Sequence, residues 1–88
     1  MAIRYDPAKA AANLRKHGVS FSDAEVVLND PLALTMDDTH IVGEQRFITV
    51  GLGGAGELLL IVWTARGDDH RLISARRPTR KERKNYES

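Results

Sequence analysis

The chain has 88 residues, 42% of them hydrophobic and 28% charged, a balance that predicts one small soluble domain over residues 1–88. The absence of cysteine excludes disulfide bonds, thiolate catalysis and sulfur-ligated zinc. The longest apolar run, 58–63, is shorter than the roughly 20 residues of a membrane helix. Because the N-terminus also lacks a signal-peptide pattern, we expect a cytoplasmic protein without membrane contact.

The first elements in the chain are predicted to be a short strand and a helix. Residues 3–5 favour a strand, and Asp6-Pro7 is typical of a helix N-cap followed by the first helical position. Residues 8–17 are strong helix formers, and Gly18 suits a left-handed C-cap.

A second helix follows, for which the sequence offers two starting frames. One is the capping box Ser22-x-x-Glu25, and the other is Ser20-x-x-Asp23. Both frames end the helix near residues 29–31, and the sequence does not decide between them.

The rest of the chain predicts a sheet and a last helix. Four strands are expected at 32–36, 46–51, 58–64 and 70–76, and their short connections make the sheet antiparallel. A capping box at Thr79-x-x-Glu82 starts a short helix that ends near Tyr86. The fold class is therefore α+β in the order β-α-α-β-β-β-β-α: an antiparallel sheet with two N-terminal helices packed on it and a short C-terminal helix, the helices lying on one face.

Charge divides the chain unevenly. Residues 71–88 carry seven Lys or Arg against two Glu, whereas residues 1–70 carry six against ten acidic residues. The stretch 18–38 contains five acidic residues and neither Lys nor Arg. A basic end on an acidic body points to a polyanion such as RNA or DNA as one partner, and the acidic side suits a basic partner.

Several basic residues are candidates for phosphate contacts: Arg76, Arg77, Arg80, Lys81, Arg83 and Lys84. The plainer interpretation is a solvated helix face or a patch that docks an acidic protein. Regular alternation puts Arg71, Ile73 and Ala75 on one face of the last strand, and Leu72, Ser74 and Arg76 on the other. At the end of that strand, Arg76 either clamps a phosphate or forms a cross-strand ion pair.

The histidines suggest little chemistry by themselves. His40 lies between Asp37-Asp38 and Glu44, where an imidazole could act as a general acid or base. His17 is more simply a helix-capping residue. We expect no metal site at His70, because no second histidine stands at ligand spacing.

Taken together, the motifs of this chain resemble those of the BrnT toxin family. The resemblance covers nearly the whole chain and is carried by Tyr5-Asp6-Pro7-Ala8-Lys9, Asn13-Leu14-Arg15-Lys16-His17-Gly18-Val19-Ser20-Phe21, Asp30-Pro31, Glu44-x-Arg46-Phe47, Gly51 and Ile73-Ser74-Ala75-Arg76 with Thr79, Glu82 and Tyr86. One position departs from the pattern, since many relatives have Trp where this chain has Tyr5.

The resemblance implies a RelE-like fold and a bacterial type II toxin that cleaves RNA without a metal or other cofactor and arrests translation and growth. It also implies a cognate antitoxin of the BrnA kind, with a ribbon-helix-helix-type dimerisation region. That partner would neutralise the toxin in a hetero-oligomer that represses its own operon.

The resemblance further suggests which residues form the site. The catalytic residues it implies are His40, Glu44, Arg46 and Arg76, and the RNA-binding residues it implies are Lys16, His17, Arg71, Ser74 and Tyr86. The charge of the C-terminal tail adds Arg77, Arg80 and Lys81 to the RNA-binding candidates. His40 or Glu44 would be the base, and the choice stays open. A non-catalytic nucleic-acid-binding module and a protein-interaction module remain the alternatives to a ribonuclease.

Overall fold

The computed structural model of the protein describes residues 2–38 and 45–88. Its elements follow the predicted order: β1 Ala2–Arg4, α1 Pro7–His17, α2 Phe21–Glu25, a 3-10 helix Val26–Asn29, β2 Leu34–Asp37, β3 Arg46–Leu52, β4 Leu58–Arg66, β5 Asp69–Arg76 and α3 Arg80–Glu87. The predicted α+β class is confirmed. Within the two described ranges, none of the helices combines the length and the apolar character that crossing a membrane requires.

The strands form one mixed sheet in the order β1-β5-β4-β3-β2. Strands β2 to β5 pair antiparallel with their neighbours, as their short connections predict. β1 instead pairs parallel with β5, with Arg4 opposite Arg71. The rule of short connections does not apply to this pair, because two helices and three strands separate β1 from β5 in the chain.

The helix caps come out as the sequence indicates. Asp6 accepts the N–H of Ala8 at 2.9 Å, and Gly18 closes α1 in the left-handed region with φ 69°. Ser20 is the N-cap of α2 and accepts the N–H of Asp23 at 3.1 Å, so the frame that begins at Ser22 is wrong.

The core lies between the sheet and helices α1 and α2, on what we call the first face. Its buried members are Val19, Phe21, Ala24, Val27, Leu59, Ile61, Trp63, Leu72 and Ala75. Trp63, which its place in an apolar strand predicts to be core, stacks between Phe47 and His70 at ring-centroid distances of 4.6 and 4.2 Å. Tyr5 packs edge-on against Phe21 at 5.2 Å, which preserves an aromatic role at that position.

Past the end of β1, the backbone of β5 forms its hydrogen bonds on that side with a side chain of α1. The buried amide of Asn13 donates to the carbonyl of Ala75 at 2.8 Å and accepts the N–H of Ala75 at 3.0 Å. It also donates to the carbonyl of Val19 at 3.0 Å. One side chain thus ties α1 to both the sheet and the entry to α2.

A β-bulge interrupts the pairing of β4 with β5. Trp63 lies opposite Leu72 but Val62 lies opposite Ser74, so Ile73 is the extra residue. A bulge of this kind reverses the inward and outward alternation for the rest of the strand.

The bulge makes the predicted faces of β5 wrong. Leu72 and Ala75 are both in the core, three residues apart, which regular alternation does not allow. By register, Arg71, Ser74 and Arg76 share the face that α1 and α2 leave uncovered. We call it the second face.

The last helix lies against this second face. Side chains of α3, among them Lys81 and Asn85, border a groove with Ile48, Val50 and Leu60. The expectation that the helices share one face therefore holds for α1 and α2 and is wrong for α3. The predicted capping box is present, with the Thr79 N–H donating to Glu82 at 2.7 Å.

Candidate nucleic-acid interface

Three polar residues form a line across the second face, and we call them the arginine row. Arg46 on β3 lies opposite Thr64 on β4, and Thr64 lies opposite Arg71 on β5. Residues opposite each other in a sheet share a face, with Cβ atoms about 4.5–5.5 Å apart. The fold therefore brings together two arginines that are 25 residues apart in the sequence.

Two polar atoms of this row are buried without a hydrogen-bond partner among the described residues, Arg46 Nε and Thr64 Oγ1. Thr64 is only 1% exposed. Buried polar groups are nearly always hydrogen-bonded, so two unpaired ones on opposing residues need an explanation. A guanidinium donates, and a hydroxyl donates as well as accepts, so an oxyanion such as a phosphodiester could satisfy both atoms if the groups that now shield them from solvent moved aside.

Arg76 lies on the same face but at a different level. It sits opposite Leu60, four residues along β4 from Thr64, which corresponds to about 13 Å. Its guanidinium donates to both carboxylate oxygens of Glu82, at 2.9 and 3.0 Å. This contact raises the pKa of Arg76 further above its ordinary value and lowers the pKa of Glu82 to about 2. The ion pair considered for Arg76 is thus present, with its partner on α3 instead of a strand.

A second concave surface runs between α1 and the edge of β5. This groove, of about 310 Å³, is lined by Lys16 and His17 from α1 and by Ile73 and Ser74 from β5, with Lys9 at its border. It brings together three of the residues that the family resemblance suggests for RNA binding.

Arg77 is engaged in holding the fold together. Its Nε donates to Glu57 at 3.0 Å, and a terminal nitrogen donates to the carbonyl of His17 at 3.3 Å. The side chain therefore links the β3–β4 turn to the last carbonyls of α1, where a cation is favourable.

The remaining suggested residues lie on α3. Arg80 and Lys81 are exposed in its first turn, and Lys81 borders the second-face groove. The Tyr86 hydroxyl donates to Asp30 at 2.6 Å. That hydrogen bond raises the pKa of Tyr86, and together with N–H donation from Leu52 and Leu32 it lowers the pKa of Asp30.

His40 and Glu44, the two candidates for the base, lie outside the described residues. Within the described part of the chain, no cluster of three or more His, Asp or Glu side chains is arranged for a metal ion. Sequence reasoning missed Thr64. The available signal was a polar residue directly after Trp63 in the most apolar strand of the chain.

Comparison with known proteins identifies a family and a protein of similar fold. The sequence model of the ribonuclease toxin BrnT of type II toxin–antitoxin systems matches residues 5–82. The crystal structure of the Brucella abortus ribonuclease toxin BrnT is similar, with a TM-score of 0.71 and 23% identity, over 91% of this chain and 99% of that one. At this identity the structural likeness shows the fold, and no curated protein matches the chain. Because the family match extends from the end of β1 into α3, the chain belongs to the BrnT family of type II ribonuclease toxins.

Proposed function

We propose that this chain is an endoribonuclease that cleaves RNA in the bacterial cytoplasm and thereby inhibits translation and growth. One observation carries the proposal beyond family membership. Arg46 and Thr64, opposite each other on the second face, each bury a polar atom that lacks a partner among the described residues. A phosphodiester would satisfy both once the groups that shield these two atoms from solvent move aside, and the exposed Arg71 at the end of the row would add a second cation to the same phosphate or the next one.

The reaction we propose is attack of the ribose 2′-hydroxyl on the adjacent phosphorus. The 2′-oxygen forms a bond to phosphorus, its proton passes to the base, and the bond from phosphorus to the 5′-oxygen breaks. The 5′-oxygen takes up a proton, which leaves a cyclic phosphate on the other fragment. His40 or Glu44 would be the base, as the resemblance implies.

Arginines would stabilise the negative charge that develops on the phosphoryl oxygens. We assign Arg46 and Arg76 to this role, and Arg71 and Lys16 to holding the substrate. Arg76 could take part only by exchanging its bond to Glu82 for one to a phosphate, because both terminal nitrogens are engaged by that carboxylate. Fixed guanidinium groups can supply the charge stabilisation that a metal ion supplies elsewhere, so we propose metal-independent cleavage.

We further propose that a BrnA-like antitoxin with a ribbon-helix-helix-type dimerisation region neutralises the toxin in a hetero-oligomer. The type II family implies an antitoxin, and the acidic stretch 18–38 offers a surface suited to a basic protein segment.

The test combines growth with purified components. The chain is expressed inducibly in a bacterial host with and without the adjacent gene, then purified and incubated with RNA in EDTA. We expect growth arrest that the neighbour relieves, and cleavage that EDTA does not stop.

Arg46→Ala, purified in the same way, is the control for contaminating ribonuclease, because losing one such cation should cost on the order of 10²-fold in rate. Equal cleavage by Arg46→Ala would assign the activity to a contaminant or remove Arg46 from the site. Salt-sensitive RNA binding without any cleavage product would instead favour the non-catalytic module.

A further inference from the structure

The second face carries a largely apolar groove, and apart from Lys81 on its rim the RNA-cleavage hypothesis assigns no role to its apolar lining. Its floor is Ile48, Val50 and Leu60, one wall is α3, and the other is formed by Leu34 and Met36 of β2. The groove encloses about 280 Å³, and Leu34 and Met36 are 41% and 51% exposed. Two large apolar side chains exposed next to each other on one strand, beside an apolar groove, make this a candidate interaction surface.

The same strand has an open backbone edge. β2 is the last strand of the sheet, and no strand of the described chain lies beyond it. The Asp38 N–H donates to the Arg46 carbonyl at 2.8 Å, so by alternation residues 34 and 36 also face β3. The backbone donors and acceptors of Thr35 and Asp37 therefore point outward, where an added strand would meet them.

Charge argues against RNA as the occupant of this edge. Asp30 precedes β2, Asp37 ends it and Asp38 follows it, and the stretch 18–38 has neither Lys nor Arg. A polyanion laid along the outer edge of β2 would meet the Asp37 carboxylate and no cation on β2 itself, since the nearby cations lie on β3 (Arg46) and across the groove on α3 (Lys81).

Charge also argues against a second copy of this chain. Asp37 ends β2 and Asp38 follows it, so two β2 strands paired edge to edge would bring four carboxylates into one interface. Like charges across paired strands are destabilising. The edge suits a chain of opposite charge.

We propose that the antitoxin adds an extended segment to β2 as a sixth strand, with Lys or Arg beside Asp37 and apolar side chains over Leu34 and Met36. The strand edge supplies backbone hydrogen bonds and the groove selects alternate side chains, which is the usual division in strand addition. The proposal rests on the proposed function only in that the toxin has an antitoxin.

Antitoxin binding tests this directly. The probe is the purified product of the adjacent gene, and its Kd is measured for wild type, Met36→Glu, Asp37→Pro and Leu14→Glu. Leu14 on α1 is 52% exposed, so Leu14→Glu puts the same charge on an apolar residue of matched exposure away from β2. Urea unfolding confirms that each variant is folded, and proline at an outward-facing N–H of an edge strand is tolerated.

We expect Met36→Glu to weaken binding on the order of 100-fold and Asp37→Pro about 10-fold, with Leu14→Glu within about 2-fold of wild type. Amide exchange at Thr35 and Asp37 should slow when the adjacent gene product is added. Wild-type affinity in both β2 variants, or protection at α1 with none at β2, would overturn the proposal.

Two further results would also contradict it. Protection of β2 by self-association, without the second protein, would assign the edge to another copy, and protection by RNA would assign it to the substrate. RNA cleavage by the unbound variants is measured in parallel. A chain that cleaves no RNA but loses the antitoxin through Met36→Glu would refute the proposed function and leave the docking site standing.

Discussion

The side-chain amide of Asn13 and the backbone of Ala75 exchange two hydrogen bonds, as two residues on neighbouring strands would. β1 is only three residues long and pairs with residues 69–71, so residues 72–76 of β5 have no strand partner on that side. Asn13 takes the place of the missing strand at Ala75, which is fully buried. A helix side chain thereby completes the sheet on this side.

Asn13→Ala should be one of the most destabilising single changes in the chain. It leaves a buried N–H and a buried carbonyl of Ala75 unpaired, at about 1–3 kcal/mol each, so we expect a loss of about 2–6 kcal/mol in the free energy of unfolding. Urea unfolding measures it. Asn29→Ala is the control, since Asn29 is exposed. A loss as small as that of Asn29→Ala would show that water or the relaxed backbone replaces the amide.

Thr64→Val separates binding from stability. Valine has nearly the same shape and removes a buried hydroxyl that has no partner among the described residues, so the free energy of unfolding should stay the same or rise by up to about 1 kcal/mol. RNA cleavage should fall, on the order of 10-fold in kcat/KM, because the proposed phosphate contact would be lost. Thr35→Val provides the contrast, since the hydroxyl of Thr35 is hydrogen-bonded to Thr49 at 2.8 Å. Full activity of Thr64→Val would exclude Thr64 from the substrate site.

Glu82 should make stability depend on pH in acid. Its folded pKa is about 2 against an ordinary value of 4.5, chiefly because Arg76 donates to it. A lowered folded pKa means that the stabilisation is complete above about pH 4.5 and is lost as pH falls toward 2. The side chains of Arg76 and Glu82 are 38% and 31% exposed, so water screening limits the contribution to about 1 kcal/mol.

Unfolding of Glu82→Gln, followed from pH 7 to pH 2, checks this. The variant should be less stable than wild type at neutral pH, and its free energy of unfolding should fall less steeply as the pH is lowered from 4.5 to about 2. Glu87→Gln, with an exposed carboxyl at the end of α3, is the control. If the free energy of unfolding depends on acid pH identically in Glu82→Gln and wild type, other carboxyl groups must cause that dependence.

Tyr86 should ionise at unusually high pH. Its pKa is raised because the hydroxyl donates to Asp30, whose negative charge opposes the phenolate. Spectrophotometric titration of the folded protein should therefore show a late-ionising tyrosine, which Asp30→Asn returns toward its ordinary value of 10. Tyr5→Phe, which removes the other tyrosine, identifies the signal as that of Tyr86. A late-ionising tyrosine that persists in Asp30→Asn would contradict the assigned cause.

Local patterns predicted the elements of this fold well, because helix caps and turns depend on residues that are close together in the sequence. Asp6-Pro7, Gly18 and the Thr79–Glu82 box each stand where the structure uses them. The strand order beyond the hairpins was harder to predict from the sequence. The parallel pairing of β1 with β5 joins residues 67 positions apart, such as Arg4 and Arg71, and no local signal marks such a contact.

For the candidate site, too, the sequence indicated single residues but not their spatial arrangement. The family resemblance, and not residue type alone, supplied Arg46, Arg71 and Ser74 as site candidates. Their common face depends on the bulge at Ile73, which alternation alone cannot reveal. The engagement of Arg76 by Glu82 and of Arg77 by Glu57 was equally hidden, because each pair depends on how α3 and the β3–β4 turn fold back.

The carboxylate of Glu82 belongs to two local structures at once. Its Oε1 atom accepts the Thr79 N–H that caps α3 and also a guanidinium hydrogen of Arg76. The two contacts are thermodynamically linked, so an anion that takes Arg76 away from this carboxylate also changes the stability of the first turn of α3. By reciprocity, anything that unwinds that turn makes Arg76 a better anion receptor. The helical content of the eight-residue α3 should therefore change when Arg76 exchanges Glu82 for an anion.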